Sequence, residues 1–177
     1  MKIEKVEVGY LRCNCYILDI DGKVLIIDPG DDCEKIERLI DNRKIVGIII
    51  THHHHDHDGG VKYFLDKYKI KTYDHSNLTE GENRIDNFLF DIIYVPGHKE
   101  DLICIYFRKE KVMFCGDFIF KDSIGRCDLP GSNVSDMMKS IAKIKKYDRD
   151  IILYPGHGEK TKLGYEMDNN PYFKDFV

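Results

Sequence analysis

The chain has 177 residues, enough for one domain with a substantial core, and its formal net charge of −4 argues against a broad nucleic-acid surface. No apolar run approaches the length of a membrane span, which excludes an ordinary helical membrane protein. Met1-Lys2-Ile3-Glu4-Lys5 begins with charges and lacks the apolar stretch of a signal peptide, so a cytoplasmic location is expected.

Residues 2–8 read as a strand, and Asn14 to Ile20 as a second. Asp21-Gly22 is a strong hairpin signal, and Lys23 to Asp28 is the returning strand, broken by Pro29-Gly30. Between Cys33 and Arg43 the apolar positions Ile36, Leu39 and Ile40 fall at helical spacing. A β-branched run, Ile45 to Ile50, reads as a buried strand, and Val61 to Tyr68 as an amphipathic segment. Ile70 to Tyr73 suggests a short strand, whereas Leu78 to Asn87 is polar and ambiguous. Phe88 to Val95 is a strand ended by Pro96-Gly97-His98, and Leu102–Phe107 with Val112–Cys115 forms a hairpin that runs into Gly116-Asp117. Residues 121–133 form a loop, and Asn133 caps a helix whose apolar stripe is Val134, Met137, Met138, Ile141 and Ile144. Ile151 to Tyr154 is a last strand, ended by Pro155-Gly156-His157-Gly158 and followed by a short polar helix. Six cysteines show no Cys-x-x-Cys spacing; reduced thiols are expected, with Cys104 and Cys115 as small core residues.

Between the strand 45–50 and the segment 61–68 lies Thr51-His52-His53-His54-His55-Asp56-His57-Asp58-Gly59-Gly60. Protonated histidines this dense would repel one another, whereas a cation takes neutral imidazole and carboxylate as preferred ligands. Neighbouring side chains in an extended loop point apart, so His52, His54, Asp56 and His57 suit a common site, with His53 and His55 as bystanders. The cluster is internal and interrupted by acids, unlike a purification tag. Three further metal-competent residues, His98, Asp117 and His157, each follow an apolar strand. His75 reads as a surface histidine.

The pattern Thr-His-x-His-x-Asp-His-x-Gly-Gly over residues 51–60 resembles the signature of the metallo-β-lactamase superfamily at every fixed position. The resemblance extends along nearly the whole chain. It is closest to small glyoxalase-II-like hydrolases, through Asn14-Cys15-Tyr16, Ile27-Asp28-Pro29-Gly30, residues 125–131, residues 154–158 and Asn170-Pro171. It implies an α/β fold, a four-layer αββα sandwich formed as one domain over 1–177, without the additional C-terminal helical domain of full-length glyoxalase II proteins. It also implies two divalent metal ions, most simply zinc, with iron or manganese as alternatives. His52, His54 and His98 would hold one, Asp56, His57 and His157 the other, and Asp117 would bridge them. One departure is that Lys99-Glu100-Asp101-Leu102 replaces the family's usual threonine and Gly-Ser turn.

Two cations about 3.5–4 Å apart lower the pKa of a shared water enough to make hydroxide available near neutrality. Asp56 is the expected catalytic carboxylate that orients it, and Arg126 is a candidate contact for an anionic substrate or a tie within its loop. Asp28 is placed either beside a ligand histidine or in a simple turn. The expected activity is hydrolysis of a small-molecule thioester such as an S-acylglutathione. Lactone or ester hydrolysis and an iron-dependent persulfide dioxygenase reaction are the rivals, and neither a nucleic-acid nor a membrane partner is expected.

Overall fold

The computed structural model describes residues 1–174. The first half contributes strands Lys2–Val8 (β1), Cys13–Ile20 (β2) and Lys23–Ile27 (β3), then helix Cys33–Ile40 (α1) and strand Lys44–Ile49 (β4). It closes with the one-turn helix His55–Asp58 (α2), helix Val61–Lys67 (α3) and the short strand Thr72–Tyr73 (β5). The second half runs Gly81–Ile85 (β6), Phe88–Tyr94 (β7), Ile103–Phe107 (β8), Val112–Gly116 (β9), Ile119–Phe120 (β10) and Ser123–Ile124 (β11). After helix Val134–Ile144 (α4) come Ile152–Pro155 (β12), Thr161–Lys162 (β13), Leu163–Asn169 (α5) and Pro171–Lys174 (α6).

Two large sheets result, one in the order β1-β2-β3-β4-β5 and one in the order β13-β12-β9-β8-β7-β6, beside a small two-stranded β10-β11 sheet. The alternation of side chains along each strand builds the layers. Tyr16, Leu18, Leu25, Ile27 and Ile49 face the second sheet's Phe88, Phe90, Ile92, Ile105 and Phe114. Their sequence neighbours Ile17, Val24, Ile26, Ile48 and Ile50 point the other way, onto Ile36 and Ile40 of α1 and Phe64 of α3. The outer face of the second sheet packs Ile93, Cys104, Met113 and Leu153 against Met137, Ile141 and Ile144 of α4 and against Leu163. The architecture is therefore an αββα sandwich, as expected. No helix among the described residues is long and apolar enough to cross a membrane.

Local chemistry sets the boundaries. Asp21 and Gly22 both take positive φ, the geometry a tight hairpin requires between β2 and β3. The Asn133 side chain accepts the Asp136 amide at 3.1 Å, capping α4. In three places the structure refines the sequence reading. The ambiguous segment 78–87 holds an edge strand, β6, which buries only Ile85, so its polar alternation never carried a core signal. The loop 121–133 begins with half of a small hairpin, because β11 pairs back onto β10. Val134 is 57% exposed and leaves the α4 stripe to Met137, Ile141 and Ile144.

Strand direction then decides where the polar loops meet. β3 and β4 are parallel, as are β9 and β12, and β7 runs with β9 because both are antiparallel to β8. The C-terminal ends of β3, β4, β7, β9 and β12 therefore lie along one edge, where Asp28, Thr51-His52, His98, Asp117 and His157 emerge. Asn14 stitches that edge across the sheets, donating to the carbonyls of Pro155 and Gly158 at 3.0 Å each.

Candidate metal centre

Seven side chains converge at this edge. His52 Nε2 lies 3.0 Å and His98 Nε2 3.1 Å from His54 Nδ1. On the other side, Asp56 Oδ2 is 3.1 Å from His157 Nε2 and 3.6 Å from His57 Nε2. Asp117 stands between the two groups. Its Oδ1 is 3.3 Å from His57 Nε2, and its Oδ2 is 3.6 Å from both His98 Nε2 and His157 Nε2. Extended backbone at His54, just before α2, sends alternate side chains to opposite sides of the loop, and the helical turn then brings Asp56 and His57 round to the same site.

The other two histidines of the loop face elsewhere. His53 contacts Asp58 Oδ2 through Nδ1 at 2.8 Å and Asp74 Oδ2 through Nε2 at 3.2 Å, while its amide donates to Asp101 at 3.1 Å. It faces away from the site, as expected, and these contacts tie the loop to Asp58, Asp74 and Asp101. His55 is exposed on α2. His75 is half-buried, its ring 4.4 Å from that of Tyr94.

Hydrogen bonds behind the site orient the rings. His98 Nδ1 donates to the Arg126 carbonyl at 2.8 Å, and His157 Nδ1 to the Leu11 carbonyl at 3.1 Å. Asp28 Oδ2 accepts from His57 Nδ1 at 2.9 Å, so Asp28 is indeed beside a ligand-type histidine, and its φ of 52° also makes the turn after β3. The Cys13 sulfur is 3.5 Å from the same nitrogen. The Arg126 guanidinium points to neither half; it makes a bidentate pair with Asp128 at 2.6 and 2.8 Å. Sequence reasoning missed the roles of Cys13 and of the Leu11 and Arg126 carbonyls, and a main-chain acceptor leaves no signal in residue identity.

The two halves differ electrostatically. Burial, then the neighbouring imidazoles, holds His52 well below the ordinary histidine range, and His54 is lowered in the same way by burial and His98. Burial opposes charge on His57 too, but Asp28 and Asp117 outweigh it and push the ring well above its usual value. Burial would raise Asp56, yet His157 and His57 bring it down to about 2. His52 and His54 therefore favour the neutral, nitrogen-donor form, whereas His57 attracts positive charge.

This donor set fits two cations. With Nδ1 of His98 committed to a carbonyl, its Nε2 lone pair faces into the three-histidine group, where His52 Nε2 and His98 Nε2 both lie within hydrogen-bond distance of His54 Nδ1. His57 Nε2 and Asp117 Oδ1 are buried without a hydrogen-bond partner, an arrangement that is costly unless a ligand completes it. Gly156 permits the approach, since a Cβ there would lie 2.3 Å from Asp117 Oδ1 and 2.7 Å from His57 Cε1. Imidazole and carboxylate suit zinc, iron or manganese.

The profile of the metallo-beta-lactamase superfamily matches residues 8–88 and 77–157 of this chain. Hydroxyacylglutathione hydrolase GloC of Haemophilus influenzae (strain ATCC 51907 / DSM 11121 / KW20 / Rd) is 29% identical, over 97% of this chain and 98% of its own. Among solved structures, the B3 metallo-beta-lactamase BLEG-1 superposes with a TM-score of 0.93 at 30% identity, covering 97% of this chain and 99% of its own. TTHA1623, solved in a di-iron-bound form, gives a TM-score of 0.89 at 27% identity, over 96% and 99% of the two chains.

Proposed function

Because the chain belongs to the metallo-beta-lactamase superfamily, we propose that it is a dinuclear metal-dependent hydrolase cleaving a small-molecule thioester of the S-acylglutathione kind. The observation that carries this reading is the complete, two-halved ligand set with Asp117 between its parts. His52, His54 and His98 would hold one cation, Asp56, His57 and His157 the other, and Asp117 would serve both. Bound there, such ions supply Lewis acidity, polarising a carbonyl and lowering the pKa of water. Zinc is the proposed metal; iron and manganese suit the same donors.

The protein's own part follows from burial. His52, His57, His98 and Asp117 are buried, whereas His54, Asp56 and His157 are half-buried, so substrate approaches across the latter three. Asp56, held as a carboxylate on that face, accepts a hydrogen bond from the attacking water and orients it. The leaving thiolate is stable enough to need little protonation. Arg126 is the proposed contact for an anionic part of the substrate: its main chain already borders the site through His98. We place the protein in the cytoplasm, a setting compatible with its six unpaired cysteines.

The GloC resemblance favours a thioester over an oxygen ester or lactone. The test is turnover by zinc-loaded protein, without oxygen, of an S-acylglutathione beside a matched ester and a lactone. Thioester cleavage is expected to dominate. If only iron-loaded protein reacts, and only while consuming oxygen, the dioxygenase alternative replaces hydrolysis.

A further inference from the structure

The turn over residues 97–102 contains Lys99-Glu100-Asp101-Leu102, where this chain departs from the family pattern, and it is tied to the histidine loop. The Lys99 carbonyl accepts the amides of Gly97 at 3.3 Å and Leu102 at 3.4 Å, which closes the turn. Asp101 Oδ2 accepts the His53 amide at 3.1 Å, and Lys99 Nζ stands 3.8 Å from Asp101 Oδ1. Those contacts bring a lysine ammonium beside the loop that carries His52 and His54. Only 19% of the Lys99 side chain is exposed, so most of its stem is covered and the charge is held near one place. Its field reaches the site: after burial and the neighbouring imidazoles, Lys99 further disfavours positive charge on His52 and His54.

The ammonium is poorly matched within the protein. Among the described residues its only ion pair is with Asp101, at a separation beyond hydrogen-bond distance. Asp101 Oδ1 is itself buried without a hydrogen-bond partner, so the two do not form a closed pair. A lysine kept only to hold the turn would reach that oxygen. A cation held by His52, His54 and His98 would be repelled by the same ammonium, and an anion lying between the two offsets the repulsion.

We propose that Lys99 is a specificity-determining residue whose ammonium binds a carboxylate of the substrate beside the three-histidine half of the site. The inference rests on the thioester-hydrolase reading and adds to it a charge that the substrate carries. The carboxylate belongs to the acyl half or to the thiol half; the chemistry that meets Lys99 is the same, and the experiment separates the two sources.

The test is steady-state kinetics of zinc-loaded full-length protein, unaltered and as Lys99→Gln and Lys99→Arg, on glutaryl and pentanoyl thioesters of glutathione and of N-acetylcysteamine. The readout is the preference in kcat/KM for the carboxylate-bearing member of each pair. Lys99→Gln is expected to lower that preference by about tenfold, through KM rather than kcat, the lower end for a hydrogen bond to a charged group. Lys99→Arg should keep most of it. A fall in the glutaryl-to-pentanoyl ratio assigns the carboxylate to the acyl half, and a fall in the glutathione-to-N-acetylcysteamine ratio assigns it to the thiol half. Unchanged ratios, or an equal loss on every substrate, overturn the proposal. So does a fall in zinc content in Lys99→Gln, since removing a positive neighbour cannot by its charge weaken a cation site. Calorimetry with the matching thioethers, which cannot be cleaved, should show the same change in affinity. If the unaltered protein cleaves none of the thioesters, the hydrolase reading fails on its own, and the thioether affinities still decide whether Lys99 reads a carboxylate.

Discussion

Asp56 Oδ2 and His157 Nε2 stand 3.1 Å apart although 101 positions separate them in the chain. The contact joins the one-turn helix α2, at the end of the first sheet, to the loop that leaves β12 in the second. The second half of the site therefore exists only when the two sheets are packed. The three-histidine half also spans the sheets, through His98, but two of its members come from one loop.

That difference predicts how the site comes apart. The protein should bind two metal ions per chain at saturation. His157→Ala should reduce tight binding to about one ion, whereas Asp117→Ala should weaken both positions, since its two oxygens face different halves. Elemental analysis after dialysis against excess metal reads the stoichiometry directly. A value that stays at one for the unaltered protein would rule out the dinuclear arrangement.

Gly156 offers a way to disturb the centre without deleting a ligand. An added methyl would overlap Asp117 Oδ1 and His57 Cε1, so Gly156→Ala must displace one of them. Metal affinity should fall by at least about tenfold, comparable to the loss of a partner behind a ligand. Titration against a chromophoric chelator measures it, and unchanged affinity would show that the loop shifts freely.

Much of this site was legible because its signals are local. The spacing of His52, His54, Asp56 and His57 encodes one extended residue followed by one helical turn, and the structure has that geometry. The pairing of β2 with β3 was legible for the same reason, because Asp21-Gly22 marks the turn between them locally. What stayed hidden depends on distant packing. Nothing in the letters 78–87 distinguishes an edge strand from a loop when the strand itself, β6, buries only Ile85. Nor could sequence tell that Arg126 contributes a carbonyl to His98, since any residue supplies that group.

The pair of helices behind the first sheet has its own pH-dependent clasp. Lys67 first, then Tyr68 and Tyr63, donate to Glu37 and hold its carboxyl down at about 2. A folded pKa below the unfolded value of about 4.3 stabilises the protein above that value, and the gain disappears as pH falls toward 2. Lys67 is 51% exposed, so solvent screens the pair and we expect only about 1 kcal/mol from it. Urea unfolding of Glu37→Gln against the unaltered chain should show that gap at pH 7 and a shrinking one below pH ~5. A gap independent of pH would mean that packing, not the charge, holds the clasp.

Arg126 separates a main-chain role from a side-chain one. Its carbonyl holds His98 whatever the side chain, so Arg126→Ala should leave metal content and kcat unchanged. Its guanidinium is paired with Asp128, and the two side chains are 63% and 66% exposed, so that pair is weak enough to open for an anionic substrate. Arg126→Ala should therefore raise KM for a thioester with an anionic thiol half by about two- to fivefold, the scale of an exposed charge contact. Asp128→Ala removes the competing carboxylate and should lower the same KM. Neither change should alter KM for a neutral thiol half, and added salt should shrink both effects. Steady-state kinetics on a matched anionic and neutral pair measures this. If Arg126→Ala leaves both KM values alone, the guanidinium serves only its own loop and the substrate's charge is read elsewhere.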